Sequence, residues 1–232
     1  MPSGPDYRAA WFDFATPDAS FGGSVRLARH LAGGHAIYWA CVVGDDRPLV
    51  TVRDDDVPLP RGATLEVRTS GLWSAIHTET AGAHWTVGLE AFALSLDDPA
   101  EAWGDERGDL VPLGFDLEWE ATAAGTTAHP CTVTGDVLVG AETIAVDAFG
   151  WRGDDHGPPD WTAWSRQTGH WSDGTPLAPG DADVEWTPRH EAPVLADGVR
   201  LTRSLCRLGS AAGRSGAGWW ELVHPVVGEL VE

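Results

Sequence analysis

The sequence predicts an all-β protein of antiparallel sheet, a barrel or a sandwich, and three observations carry that prediction. Apolar and polar residues alternate along short runs, glycine-centred turn signals recur between the runs, and helical periodicity is scarce. With 28 Gly, 16 Pro, 43% hydrophobic and 22% charged residues, the composition is turn-rich and globular rather than disordered. The 232 residues would fill one large domain, or two of roughly 110 residues each.

Taken in order, residues 25–32 are the first candidate for a helix. Residues 36–43 and 49–53 flank the turn Gly44, Asp45, Asp46, Arg47, and residues 64–69 and 72–79 flank Ser70 and Gly71, where glycine supplies positive φ. These are two successive hairpins. Residues 84–96 carry Trp85, Val87, Leu89 and Ala91 against Phe92, Leu94 and Leu96, which predicts a long strand covered on both faces. A short helical turn fits within 99–108. Phe115, Leu117 and Trp119 then alternate with Asp116, Glu118 and Glu120, so that strand has one wet face.

The small-residue segment 121–128 divides the chain into two β units, 1–122 and 129–232. Beyond it, strands are expected at 131–139 and 143–149 around Gly140, Ala141 and Glu142, then at 161–170, 184–187, 199–208 and 219–227. Turns fall at Asp173-Gly174 and Asp197-Gly198.

The formal net charge is −20, and the chain contains neither lysine nor asparagine. Nucleic acid is excluded as a partner because a polyphosphate needs a basic stripe, and an anionic membrane surface is disfavoured for the same reason. Codon bias in a GC-rich genome and adaptation of the surface to high salt both account for the missing residue types. Cys41, Cys131 and Cys206 are odd in number and far apart, which argues for reduced core residues over a zinc site or a disulfide framework. The N-terminal residues lack a basic stretch leading into an apolar run, and no apolar run approaches 18 residues, so the chain is expected to be cytoplasmic with no membrane span. No cofactor is expected. The glycine-rich stretch 209–216 has no lysine to cradle phosphate, and no G-x-S-x-G elbow or Cys-His neighbour supports a nucleophile. Oligomeric state leaves no trace in the sequence.

The strongest candidate for chemistry is the run GWRGDDHGPPDWTAW, into which the hairpin 131–149 empties. It brings Arg152, Asp154, Asp155, His156, Asp160, Trp151, Trp161 and Trp164 to what reads as one short loop. Together with HWTVGLEAFALSLDDP and GFDLEWE in the first half, this run resembles the lipocalin-like hydroxyneurosporene synthase (carotenoid hydratase) superfamily, especially its actinobacterial branch, over about residues 60–165. The resemblance implies lipocalin- or calycin-like barrels and relatives that hydrate isoprenoid double bonds or cyclise natural products. Arg152, the pair Asp155-His156 and Asp160-Trp161 match the family pattern. An inner tryptophan and a second arginine of that pattern are replaced by Pro158 and Pro159, which stiffen the loop.

A carboxylate beside an imidazole, near an arginine and walled by indoles, would keep one acid protonated near neutral pH while the other stays ionised. Asp155 or Asp160 would then protonate an alkene, Trp161 and Trp164 would stabilise the cation, and water or an internal nucleophile would capture it. Three readings stay open for Arg152, Asp155, His156 and Asp160: a structural Arg152–Asp160 ion pair, ligand binding without chemistry, and catalysis. A metal held by Asp154, Asp155 and His156 with His170 is disfavoured, because adjacent residues of an extended chain point opposite ways. The run Asp54, Asp55, Asp56 lacks the ligand spacing of a calcium loop.

Core packing accounts for most of the thirteen tryptophans. Trp39 with Tyr38, Trp85 with His84, and Trp161 with Trp164 are the candidates for a pocket wall suited to an isoprenoid, sterol or polyketide. The function expected is therefore binding of a bulky hydrophobic molecule, with acid-catalysed hydration, isomerisation or cyclisation as its possible chemistry. A structural or interaction module with a tryptophan-packed core is the alternative.

Overall fold

A computed structural model describes residues 6–62, 64–104, 107–125, 127–157, 164–178, 183–196 and 199–224. Ten strands form one antiparallel sheet: β1 (Tyr7–Ala15), β2 (Phe21–His30), β3 (His35–Gly44), β4 (Leu49–Pro58), β5 (Leu65–Arg68), β6 (Leu72–Thr80), β7 (His84–Leu96), β8 (Asp109–Ala121), β9 (Ala128–Val139) and β10 (Glu142–His156). Their order is β4-β3-β2-β1-β10-β9-β8-β7-β6-β5, and β4 also pairs with the end of β7 through Leu49↔Leu96 and Thr51↔Leu94. That extra pairing closes eight strands into a ring, with the β5–β6 hairpin branching from the first half of β7. The expected all-β fold is present. Among the described residues the only helix is the 3-10 turn Pro99–Trp103, inside the stretch expected to hold one.

Strand alternation fills the ring. Phe12, Phe14, Val25, Leu27, Tyr38, Trp85, Val87, Phe115, Leu117 and Trp119 belong to one buried cluster inside it. Closely packed aromatic and branched side chains leave this interior a core rather than a container.

A second antiparallel sheet, in the order β11-β15-β14-β12, consists of β11 (Ser165–Trp171), β12 (Val184–Glu191), β14 (Val199–Ser210) and β15 (Ser215–His224), with β13 (Val194–Ala196) paired to β14. It packs on the outside of β1, β2 and β3. There Tyr7, Ala9, Ala28, Ile37 and Trp39 meet Val194 and Leu201, while Ala15, Cys41, Leu49 and Leu96 meet Leu205, Ala217 and Trp219. The Trp219 indole crosses the seam to donate to Phe14 O at 2.9 Å.

Four sequence expectations need correction. Residues 25–32 are not helical, since most of them lie in β2. One face of β2 points into the barrel and the other against the second sheet, so no wet face remains to display the period of a strand. The 121–128 segment does not interrupt the sheet: β8 and β9 on either side pair from Leu113↔Val139 to Ala121↔Cys131. The change of sheet falls later, between β10 and β11. The second face of β7 is open to solvent at Phe92, which is 64% exposed. Finally, residues 150–156 are the end of β10 rather than a loop. The one-sided strand around Phe115, by contrast, is as the alternation says, with Leu113, Phe115, Leu117 and Trp119 buried and Asp116, Glu118 and Glu120 exposed. None of the described helices is long and apolar enough to cross a membrane.

Candidate functional site: a cleft between the two sheets

Strands β1 and β10 run antiparallel with Ala9↔Asp155, Trp11↔Gly153 and Asp13↔Trp151 opposite each other. Because side chains alternate, Trp11, Asp13, Trp151 and Asp155 project from the barrel toward the second sheet. From that sheet, β11 presents Arg166, Thr168 and His170, again two residues apart. The two rows engage in step. Arg166 Nη2 lies 2.8 Å from both Asp155 oxygens, Thr168 Oγ1 donates to Asp13 Oδ2 at 2.6 Å, and the His170 ring sits 5.5 Å from that of Trp151.

Where the sheets diverge they leave a cleft of about 470 Å3. Trp11, Trp151, Trp186, Leu177 and Val184 supply its apolar walls, and Asp155, Arg166 and Thr168 its polar groups. This volume falls within the range of about 300–1,000 Å3 typical of small-molecule pockets. Gly153 makes room for one wall: a Cβ there would stand 2.1 Å from Cζ2 of Trp11. The Trp11 indole lies across this glycine and donates to Asp155 Oδ1 at 3.2 Å.

Behind the cleft is a buried ionic network. Asp155 also contacts Arg26 Nη2 at 2.7 Å, and Arg26 reaches the Tyr7 hydroxyl at 3.0 Å. Glu221 stands 3.0 Å from Arg203 Nε and 4.0 Å from Arg166 Nε, and accepts from the Trp164 indole at 3.4 Å. Indole faces cover the cations: Trp39 lies 5.4 Å from the Arg26 guanidinium, Trp219 lies 5.4 Å from that of Arg203, and Trp11 and Trp164 lie 4.1 and 4.6 Å from that of Arg166.

The carboxyls of this region are held in different protonation states. Burial pushes Asp155 up, but the charges of Arg26 and Arg166 and their hydrogen bonds outweigh it and hold the carboxyl below its usual range. Glu221 is likewise pushed up by burial and brought below its usual range by Arg166, Arg203 and Arg26. Among the described residues Asp13 forms no ion pair with an arginine, and Arg203 acts on it only as a minor, more distant charge. Burial raises it to about 7, against the hydrogen bonds from Thr168 and the Trp151 backbone N–H. Burial also lowers His170 to about 4, which keeps that imidazole neutral at pH 7.

The residues singled out from sequence separate into groups. Asp155 lies in the cleft wall, Trp164 covers Arg166, and Trp39 covers Arg26. Arg152 projects from the opposite face of β10. There it pairs with Asp154 and lies 5.7 and 5.0 Å from the rings of Phe12 and Trp85 at the barrel end. Tyr38 and Trp85 are inside the barrel core. His156 is exposed at the end of β10, and His84 is paired with Glu118 at 3.3 Å. Asp160 and Trp161 lie outside the described residues. The expected grouping of Arg152, Asp155 and His156 around one site therefore does not form, because β10 continues through them and sends neighbours to opposite faces. An ionised Asp155 has no proton to give, so the proton-donor role does not fit it. Among the described residues no group of three or more His, Cys, Asp or Glu side chains is placed to hold a metal.

Sequence reasoning placed Trp151 in the candidate run and missed Trp11, Asp13, Arg26, Arg166, Thr168, Trp186, Arg203 and Glu221. One signal was available: Tyr7, Ala9, Trp11 and Asp13 alternate with Ala10, Phe12 and Phe14, the pattern of a strand with one purely apolar face and one carrying polar atoms.

The fold is similar to that of two solved proteins at low sequence identity. The crystal structure of a putative AttH (NE1406) from Nitrosomonas europaea aligns over 93% of this chain and 92% of its own, with 12% identity and a TM-score of 0.40. CghA aligns over 95% of this chain and 88% of its own at 11% identity, and its complex with Sch210972 over 94% and 87% at 10% identity, both with a TM-score of 0.45. Likeness of this degree carries no statement about chemistry. A comparison with curated protein sequences gives no match. The model of a domain of unknown function, DUF7064, matches residues 2–178, about three quarters of the chain, and the protein therefore belongs to the DUF7064 family.

Proposed function

We propose that the protein binds a largely apolar small molecule in the cleft between its two sheets. One observation carries this reading: three indoles, Trp11, Trp151 and Trp186, converge on a cavity of about 470 Å3 whose few polar groups are already oriented by buried partners. The barrel interior is packed with Phe12, Phe14, Tyr38, Trp85 and Trp119, which argues against a ligand there. The resemblance of residues 60–165 to carotenoid hydratases supports an isoprenoid-like or polycyclic body for that molecule. Uptake of neutral Nile red, followed by fluorescence, tests the reading. Micromolar binding that weakens at least tenfold in Ala178→Trp, which plugs the cleft mouth, supports it; no uptake, or uptake indifferent to that change, contradicts it.

A second reading adds catalysis and rests on Asp13. Its carboxyl is protonated for much of the population near neutral pH and is one hydrogen bond behind Thr168, which lines the cleft. In this reading protonated Asp13 reverses the hydrogen bond and donates to Thr168 Oγ1, which turns the threonine hydroxyl toward the cleft; Asp13 then passes its proton to Thr168 Oγ1 as the threonine hydroxyl proton moves to an alkene carbon. The indole faces of Trp11 and Trp151 stabilise the resulting cation, and a water molecule captures it and returns a proton to Asp13 along the same path. Turnover abolished in Asp13→Asn and Thr168→Val, with ligand affinity retained, is the outcome expected of this reading.

A further inference from the structure

Resting on the cleft as a small-molecule site, we infer that its ligand carries a single anionic, carboxylate-like group that docks on the guanidinium of Arg166. Arg166 is a wall residue of the cleft. Its plane is fixed between the faces of Trp11 and Trp164, at 4.1 and 4.6 Å, and by two contacts along one edge, Nη2 to both Asp155 oxygens at 2.8 Å and Nε toward Glu221 at 4.0 Å. Among the described residues Nη1 makes no hydrogen bond. An arginine oriented on three sides, with Nη1 left over beside a cavity, is prepared to donate to one oxygen of an oxyanion.

Charge points the same way. The chain as a whole carries 35 acidic residues against 15 arginines. At the seam between the sheets the balance is reversed: Arg26, Arg166 and Arg203 face the ionised Asp155 and Glu221. Asp13, the third carboxyl there, is neutral for much of the population at pH 7 because burial raises it. Among the described residues Nε of Arg26 is also buried without a hydrogen bond. An excess cation in a desolvated region is costly, and a bound anion offsets it. The anion is a monoanion: only Nη1 of Arg166 is left to receive it, and Asp155 beside it repels a doubly charged phosphate. The indoles and Leu177 then take the apolar body, which makes the ligand an amphiphile with one acidic end.

Matched probes test this on the full chain at low salt: 1-pyrenebutyrate against 1-pyrenebutanol, and 9-anthroate against 9-anthracenemethanol, by fluorescence titration. Each carboxylate is expected to bind at least tenfold more tightly than its alcohol, with Arg166→Gln bringing the ratio close to one. The wild-type comparison stands even if the variant fails to fold. Equal affinities, or a carboxylate preference that survives in folded Arg166→Gln, overturn the inference while the apolar cleft remains. No binding of either member of each pair overturns the inference and the cleft reading together.

Discussion

Thr168 donates its hydroxyl to Asp13 across 2.6 Å, which ties a strand of the second sheet to a buried carboxyl on the first strand of the barrel. The second oxygen of Asp13 accepts from the Trp151 backbone N–H at 2.9 Å. Both bonds survive in Asp13→Asn, where the amide oxygen keeps Trp151 and the amide nitrogen donates to Thr168 instead.

The pH dependence of stability follows from this site. Asp13 is raised from 3.8 to about 7 on folding, so its contribution is complete below pH 3.8 and is lost as pH rises through 7. That span corresponds to on the order of 4 kcal/mol. His170, lowered from 6.5 to about 4, acts in the opposite sense: its contribution is complete above pH 6.5 and is lost as pH falls toward 4. His129, also lowered by burial, adds to the His170 slope. Wild-type stability is therefore expected to change little between pH 5 and 6.5 and to fall between 6.5 and 7.5. Urea denaturation of Asp13→Asn should show stability rising with pH from 5 to 6.5 and exceeding wild type at pH 8, by about 1–3 kcal/mol. A variant weaker than wild type at pH 8 would mean that Asp13 is not buried as described.

Asp155 is the shared partner of Arg26 and Arg166. Its replacement by alanine strands two buried guanidinium groups, and breaking such a pair from one side costs about 3–5 kcal/mol. Asp155→Asn keeps the acceptor oxygen and is expected to cost less. Chemical denaturation of both variants checks the order. Equal and small losses would show that the network is solvated.

Gly153→Ala tests the seat of the Trp11 ring. A methyl group would overlap the indole, with 2.1 Å to Cζ2, so the ring has to leave and release its bond to Asp155. Forced repacking of this kind costs about 1–3 kcal/mol. Nile red affinity should fall in parallel, because the displaced ring is a cleft wall. Unchanged affinity in a folded variant would remove Trp11 from the site.

Tyr38→Phe separates the barrel interior from the cleft. The Tyr38 hydroxyl is buried with no well-formed hydrogen bond among the described residues; Ser74 is the polar group beside it and gives its own hydroxyl to Gly88 O at 2.9 Å. Removing an unsatisfied buried hydroxyl is expected to be neutral or stabilising by up to about 1 kcal/mol. Ligand affinity should not change. A loss of affinity would place the ligand inside the barrel.

Much of the fold was legible because strands with one wet face announce themselves. Phe115, Leu117 and Trp119 against Asp116, Glu118 and Glu120 are an example. Strand β2 was illegible for the converse reason: Val25 and Leu27 face the barrel core while Arg26 and Ala28 face the second sheet, and an arginine that is 4% exposed looks in the sequence like a surface residue. The candidate site was half legible. Asp155 was found because polar and aromatic residues crowd around it, but Gly and Asp pairs made the end of β10 look like a loop, and that reading placed Arg152 and His156 beside it. Arg26, Arg166 and Glu221 meet Asp155 only through tertiary packing between sheets, and no spacing along the chain records that meeting.

The most direct test is a crystal structure of the protein with 1-pyrenebutyrate bound. The pyrene is expected between Trp11 and Trp186, with its carboxylate on Arg166. Density inside the barrel beside Tyr38 and Trp85 would contradict the assignment of the cleft as the ligand site.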